Sequence, residues 1–474
     1  MLVTLRQSFA LLAIGLSLGL SGCDQAPQFT QAEPGEALSG GSTTVFKTDH
    51  NAFSLPSANL SPLRRLDFSV GNSFFRNPWV IAPATTIARD GLGPLFNTNA
   101  CQNCHIKDGR GHPPAPGAVT ATSMLVRLSI SPTADQAAII ERMGVVPEPT
   151  YGGQLQDMAN PGVAPEGKVR MSYSHEQVSF EDGFTVELRK PSLQITQLGY
   201  GPMHPDTMMS ARIAPPMIGL GLLEAIADDD ILANADPDDA NSDGISGRAN
   251  QVWDDMQGKT VLGRFGWKAG QPSLNQQNAH AFAGDMGLTT SLLPRDDCTV
   301  AQQDCLDAVN GGEPEVTDKL LGSILFYSRN LAVPARRDVD SAEVLAGKNL
   351  FFQAGCQACH TPAFTTRSDA AEAELANQSI RPYSDLLLHD MGPGLADNRP
   401  EFLASGSEWR TPPLWGIGLT EAVNGHTQFL HDGRARNLLE AILWHDGEAA
   451  DARQHVLTFS AGERDALLAF LNSL

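Results

Sequence analysis

The chain reads as mainly α, built from two related domains of an internal duplication, with long loops and a few short strands. Three observations carry this expectation. The first is a repeated block around a cysteine pair: Leu95-Phe96-x4-Cys101-Gln102-x-Cys104-His105 matches Leu350-Phe351-x4-Cys356-Gln357-x-Cys359-His360. The second is a further block in the same order. Pro215-Pro216-x-x-Gly219-x-Gly221-Leu222-x-Glu224-Ala225 matches Pro412-Pro413-x-x-Gly416-x-Gly418-Leu419-x-Glu421-Ala422. Two blocks recurring in one order mark a duplicated unit. The third is helical spacing of apolar residues in the second copy, clearest at Leu438, Leu439, Ile442 and Leu443.

The elements follow in chain order. Residues 1–22 carry Arg6 and then an apolar run from Phe9 to Leu20, the pattern of a secretory signal. Leu20-Ser21-Gly22-Cys23 resembles the lipobox of bacterial lipoproteins. Cys23 is therefore expected to carry lipid, and the chain to sit on the periplasmic side of a bacterial membrane, held by that anchor alone. Asp24 directly after it resembles an inner-membrane retention signal. Residues 23–60, polar and rich in Gly, Pro and Ser, read as a flexible tether. An N-terminal domain with an insertion is expected over 61–335 and a C-terminal domain over 336–474. The step from motif histidine to proline pair is 110 residues in the first copy and 52 in the second. The excess falls within Gly117–Gly201, with short strands expected near Lys168–Tyr173 and Phe184–Leu188. In the second copy the spacing predicts helices over Val344–Ala354, Asn437–Trp444 and Glu463–Leu474. The last is opened by Ser460 with Glu463 three residues later, a capping box.

Cysteine usage gives the chemistry. The chain has seven Cys. Cys101-x-x-Cys104-His105 and Cys356-x-x-Cys359-His360 have the spacing of covalent haem c attachment. Two thiols add to two vinyl groups, and the adjacent His binds iron from the same turn. A zinc site or a redox dithiol would leave the histidine after each pair without a purpose. Two covalently bound haem c groups are the expected cofactors, in two cytochrome c-like domains. Of the remaining cysteines, Cys23 is taken by lipid. Cys298 and Cys305 would pair as a disulfide in an oxidising compartment.

With these motifs the chain resembles the bacterial di-haem c-type oxidoreductases, peroxidase-like proteins also called thiol oxidoreductases. They are distantly related to di-haem cytochrome c peroxidases. The likeness runs from about Leu66 to the end. It is most specific at Tyr383-Ser-Asp-Leu-Leu-Leu-His389-Asp-Met391-Gly-Pro-Gly, Glu408-Trp-Arg-Thr-Pro-Pro-Leu-Trp, Phe429-Leu-His431-Asp-Gly-Arg434 and Leu-Glu-Ala-Ile-Leu-Trp-His445. By position and resemblance Met391 is the expected sixth ligand of the second haem, with His389 as the alternative. For the first haem His112, His204, Met208 and Met286 stay open. Arg410 and Arg434 could pair with haem propionates. Asp239, Asn241 and Asp243, with the Ile245 carbonyl, fit the start of a calcium loop, although its twelfth position is Asn250.

Net charge bounds the partners. Acidic residues outnumber basic ones by 54 to 33, for a net charge of −21. That excludes nucleic acid as a partner, because a phosphate backbone needs a basic surface. An electron-donor protein such as a small cytochrome or cupredoxin is the expected partner. Two domains of unequal size with dissimilar sixth-ligand segments favour an enzyme, with electron entry at the C-terminal haem and reduction of peroxide or a similar small acceptor at the N-terminal haem. The other readings are a pure electron carrier and a haem protein accessory to metal uptake or protein modification.

Overall fold

The computed structural model describes residues 27–118 and 120–474. The signal segment and Cys23 lie outside them. The structure is 31% helix and 17% strand, with six two-stranded antiparallel sheets among the described residues. The expectation of a mainly α, cytochrome c-like fold is therefore corrected to a mixed α/β fold. Much of the strand beyond the short pieces expected near Lys168–Tyr173 and Phe184–Leu188 lies in the first copy. Lys168–Ser179 and Thr185–Thr196 form a twelve-residue hairpin ladder, and Met124–Ser129 pairs with Met208–Ile213. Burial alternates along Thr185–Thr196, and Leu188 and Val169 turn into the core.

Around each motif the chain lays down one helix before the cysteines and one at the end of the copy. Pro62–Arg76 crosses Asp318–Arg329, and Ala342–Gln353 crosses Ala461–Ser473. The starts are set locally. Ser61 accepts from the Arg64 N–H, Thr317 from the Leu320 N–H, and Ser460 and Glu463 form the reciprocal box. Both crossings close on glycine. A Cβ on Gly71 would stand 2.2 Å from the Ser323 carbonyl oxygen, and one on Gly347 1.9 Å from that of Ala466. One turn on, Phe75 meets Tyr327 at 5.1 Å between ring centres and Phe351 meets Phe470 at 5.2 Å. The second repeated block uses the same closing helices. Gly221 lies under Arg329, and Gly418 under Asn472, each too close for a Cβ. The duplication is thus built into the packing.

The segment expected as a tether is not one where it is described. Glu36 is buried and ion-paired with Arg336 and Lys348, the latter at 2.6 Å. Phe53 is buried in a cluster with Ile218 and Trp415, and Val45 bridges to Pro334. A carboxylate enclosed by two cations and an anchored aromatic ring hold this polar stretch down. Cys298 and Cys305 form a disulfide. Among the described residues, no helix is long and apolar enough to cross a membrane.

Candidate functional site

Each motif presents its histidine in the same way. Cys101–Cys104 is a single helical turn that ends at His105, whose Nδ1–H donates to the Pro215 carbonyl at 2.8 Å. His360 follows the turn Cys356–Ala358, and its Nδ1–H donates to the Tyr383 carbonyl at 2.9 Å. Tying down Nδ1 fixes the tautomer and leaves Nε2 with its lone pair. Burial pushes both imidazoles down to about 4, so they stay neutral and able to bind metal. Burial also pushes the Cys101 and Cys356 thiols up to about 12. In both copies an aromatic ring from the entry helix flanks the histidine, Phe75 at 6.2 Å and Phe351 at 6.3 Å.

The second motif opens into a cavity of about 260 Å³ bordered by Cys356, Cys359 and His360. Its wall is overwhelmingly apolar, with Trp267, Trp409, Leu414 and Leu467 among the lining groups. Its charged lining groups include Asp243, Glu448, Asp451 and Arg453, and two arginines, Arg110 and Arg410, that are buried. Arg410 donates only to carbonyls, those of Gly266 and Thr411. Arg110 Nε has no hydrogen-bond partner, and the guanidinium rests over Phe429 at 5.5 Å. Neither cation has a carboxylate within ion-pair distance among the described residues. An apolar chamber with two thiols, a bare imidazole nitrogen and two buried guanidinium groups lacking anions fits a haem c with its propionates. Arg434, expected as an alternative partner, is already held by Asp432 at 2.8 Å.

This arrangement agrees with the chain's relatives. Residues 35–474 match the family model described as "Di-haem oxidoreductase, putative peroxidase". The chain belongs to the di-haem oxidoreductase family. It is an enzyme of that class, and haem is its cofactor. No curated protein and no solved structure is significantly similar to it.

Within this di-haem oxidoreductase the predicted residues fall into separate groups. Met391, His389 and His431 all border the second cavity. His389 has no free nitrogen: Nε2 meets Asp385 at 2.8 Å and Nδ1 meets Glu448 at 2.6 Å. Burial alone would discharge it, but the two carboxylates raise its pKa strongly and keep it cationic. His431 stacks on Trp409 at 3.7 Å. The candidates for the first site are scattered. His112 packs against His426, and Met208 pairs with Ser129 in a strand. His204 lies in a loop, its N–H on Glu148. Met286 is buried in the cluster against which Cys101 packs.

The proposed calcium loop is folded on itself. Asp239 accepts from the Gly244 N–H, Asp243 from the Ile245 N–H, and Asn241 from the Asp243 N–H. Among the described residues no three His, Cys, Asp or Glu side chains converge as a metal site. Asp243 and Ile245 instead wall the second cavity, and the Ser246 hydroxyl donates to Glu448 at 2.6 Å.

Arg110 and Asp108 escaped the sequence, and His445 was read only as the end of a motif. Arg110 follows His105 by five residues in a Gly-Arg-Gly turn. Asp108 accepts from the Tyr327 hydroxyl at 2.5 Å and the Ser54 hydroxyl at 2.6 Å, and burial lifts it to about 6. His445 closes the helix Leu438–Leu443 and borders the cavity. The faint signals were a lone basic residue beside a motif and a histidine after an apolar helix.

Proposed function

We propose that this enzyme is a peroxidase-type di-haem c oxidoreductase that takes electrons at the C-terminal site and passes them to peroxide, or a similar small acceptor, at the N-terminal site. When bound through Cys101 and Cys104 and through Cys356 and Cys359, the haems supply the one-electron chemistry. The chain's residues hold and orient them. His105 and His360 present Nε2, Pro215 and Tyr383 fix the rings, and Arg110 and Arg410 balance the anionic edge of the second group.

One observation carries the reading. The segment that begins at His105 ends five residues later with Arg110 in the wall of the second cavity. Five residues span at most about 18 Å even when fully extended. The segment is clamped by the other copy. Asn424 donates to the Ile106 carbonyl at 2.8 Å and accepts from the Arg110 N–H at 3.0 Å, and His426 meets the Arg110 carbonyl at 3.1 Å. The two sites are therefore close and mechanically joined, as a relay between them requires. Lipid anchoring through Cys23 on the periplasmic side of the inner membrane belongs to the same reading.

The test is a steady-state assay with hydrogen peroxide and a reduced small cytochrome or cupredoxin. Two electrons and two protons per peroxide give two waters, so two donor molecules should be oxidised for each peroxide consumed. His105→Gly should abolish the turnover while both haems stay attached. Absence of peroxide-dependent donor oxidation in the wild type would overturn the reading.

A further inference from the structure

The two motif histidines face different surroundings. Phe75 and Phe351 occupy the same place beside His105 and His360. His360 has a second imidazole near it, His445, with ring centres 6.5 Å apart. Among the described residues no second imidazole stands at that range from His105. His445 and His360 border the same cavity. His445 is aimed by its own helix. Asn437 caps the start of Leu438–Leu443, and at the other end the His445 Nδ1–H donates to the Ala441 carbonyl at 2.8 Å. A carbonyl can only accept, so this nitrogen carries the proton and Nε2 is bare. His360 is tied in the same way to Tyr383. Neither Nε2 has a hydrogen-bond partner among the described residues.

Two imidazoles bound through Nε2 to opposite faces of one metal have ring centres roughly 6 Å apart, since each bond is about 2.0 Å and the remainder is ring radius. We propose that His445 is the second axial ligand of the iron held by His360. The inference rests on the reading of Cys356, Cys359 and His360 as a haem c site. The other cavity donors serve less well. His389 has both nitrogens engaged by carboxylates. His431 lies flat on Trp409. Met391 borders the same cavity, and the thioether expected from sequence is the competing ligand. With imidazole on both faces, the C-terminal site has no position for peroxide, and small-molecule chemistry falls to the His105 site. It also sits at a lower potential than a histidine–methionine site would.

The ferric holoprotein, with its haems counted by the pyridine haemochrome assay, tests this by electron paramagnetic resonance and near-infrared magnetic circular dichroism. The wild type should show a bis-imidazole low-spin signal and no thioether-to-iron band. His445→Ala should convert one haem equivalent per chain to high spin, and added imidazole should restore it. His445→Met should introduce the thioether band and raise the midpoint potential of that haem. Met391→Leu should leave the low-spin signal as in the wild type. The proposal is overturned if His445→Ala keeps the wild-type low-spin signal, or if Met391→Leu is the variant that turns high-spin. Fewer than two haems per chain would instead overturn the haem reading itself, so the two failures are distinguishable.

Discussion

Arg110 shows what one residue contributes to such a site. Among the described residues, buried cations other than Arg110 and Arg410 have carboxylates: Arg336 has Glu36, Arg434 has Asp432, and Lys268 has Asp397 at 3.0 Å. Arg110 has a phenyl ring and an unpartnered Nε, and burial depresses its pKa to about 10. An uncompensated buried charge costs several kcal/mol, so the position makes sense only beside an anion that arrives with the haem. A cation near the iron favours its reduced, less positive state. Arg110→Gln should therefore lower the midpoint potential of the C-terminal haem by the equivalent of about 1–2 kcal/mol, and Arg110→Lys by less. A redox titration following each haem separately checks it. An unchanged potential in the glutamine variant would show that Arg110 serves packing alone. Before haem is added the same variant should be more stable than the wild type, because a buried charge has been removed.

Helix crossings set the distance at which each motif is held. At Gly71 and Gly347 the missing Cβ lets backbone meet backbone, and a methyl there would overlap a carbonyl oxygen. Gly71→Ala and Gly347→Ala should each destabilise the fold by at least about 1–3 kcal/mol, the usual range for overpacking. Gly462→Ala is the control, on the same closing helix with nothing within 4 Å of its Cβ. It should be neutral or stabilising by roughly 0.4–1 kcal/mol. Urea titrations of the three variants side by side decide this, and equal midpoints would refute the crossing argument. The same elements show which features a sequence exposes. Ser460 and Glu463 are three residues apart, and their box was legible because its partners are local. The cysteine motifs were legible as a repeated pattern because their residues are contiguous in the chain. The 168–196 hairpin was foreseen only as fragments, because half of its side chains face solvent and leave a weak alternation. The 27–60 stretch was misread because its anchors, Arg336 and Lys348, lie about 300 residues away. Arg110 and His445 were invisible as ligands for the same reason, since only the fold brings them to the second motif.

For the whole molecule the dominant property is charge. At −21 the protein attracts cationic partners over distances set by ionic strength, and the Debye length is about 8 Å under physiological conditions. The proposed function needs an electron-donor protein to dock and leave on every one-electron transfer, so encounter rate counts for more than tight binding. A positively charged small cytochrome or cupredoxin would be steered in, and an acidic one would be repelled. With a basic donor, kcat/KM should fall steeply, by a factor of roughly 10 or more, as ionic strength rises from low to physiological values. With an acidic donor it should start low and rise, because salt screens the repulsion. The limiting kcat should change little in either series, since the transfer proposed between the two sites is internal to the protein and salt acts on the encounter. Steady-state donor oxidation measured across a salt series with both donor classes checks the sign directly. A basic donor whose kcat/KM is independent of salt would show that surface charge does not govern docking and that recognition is apolar.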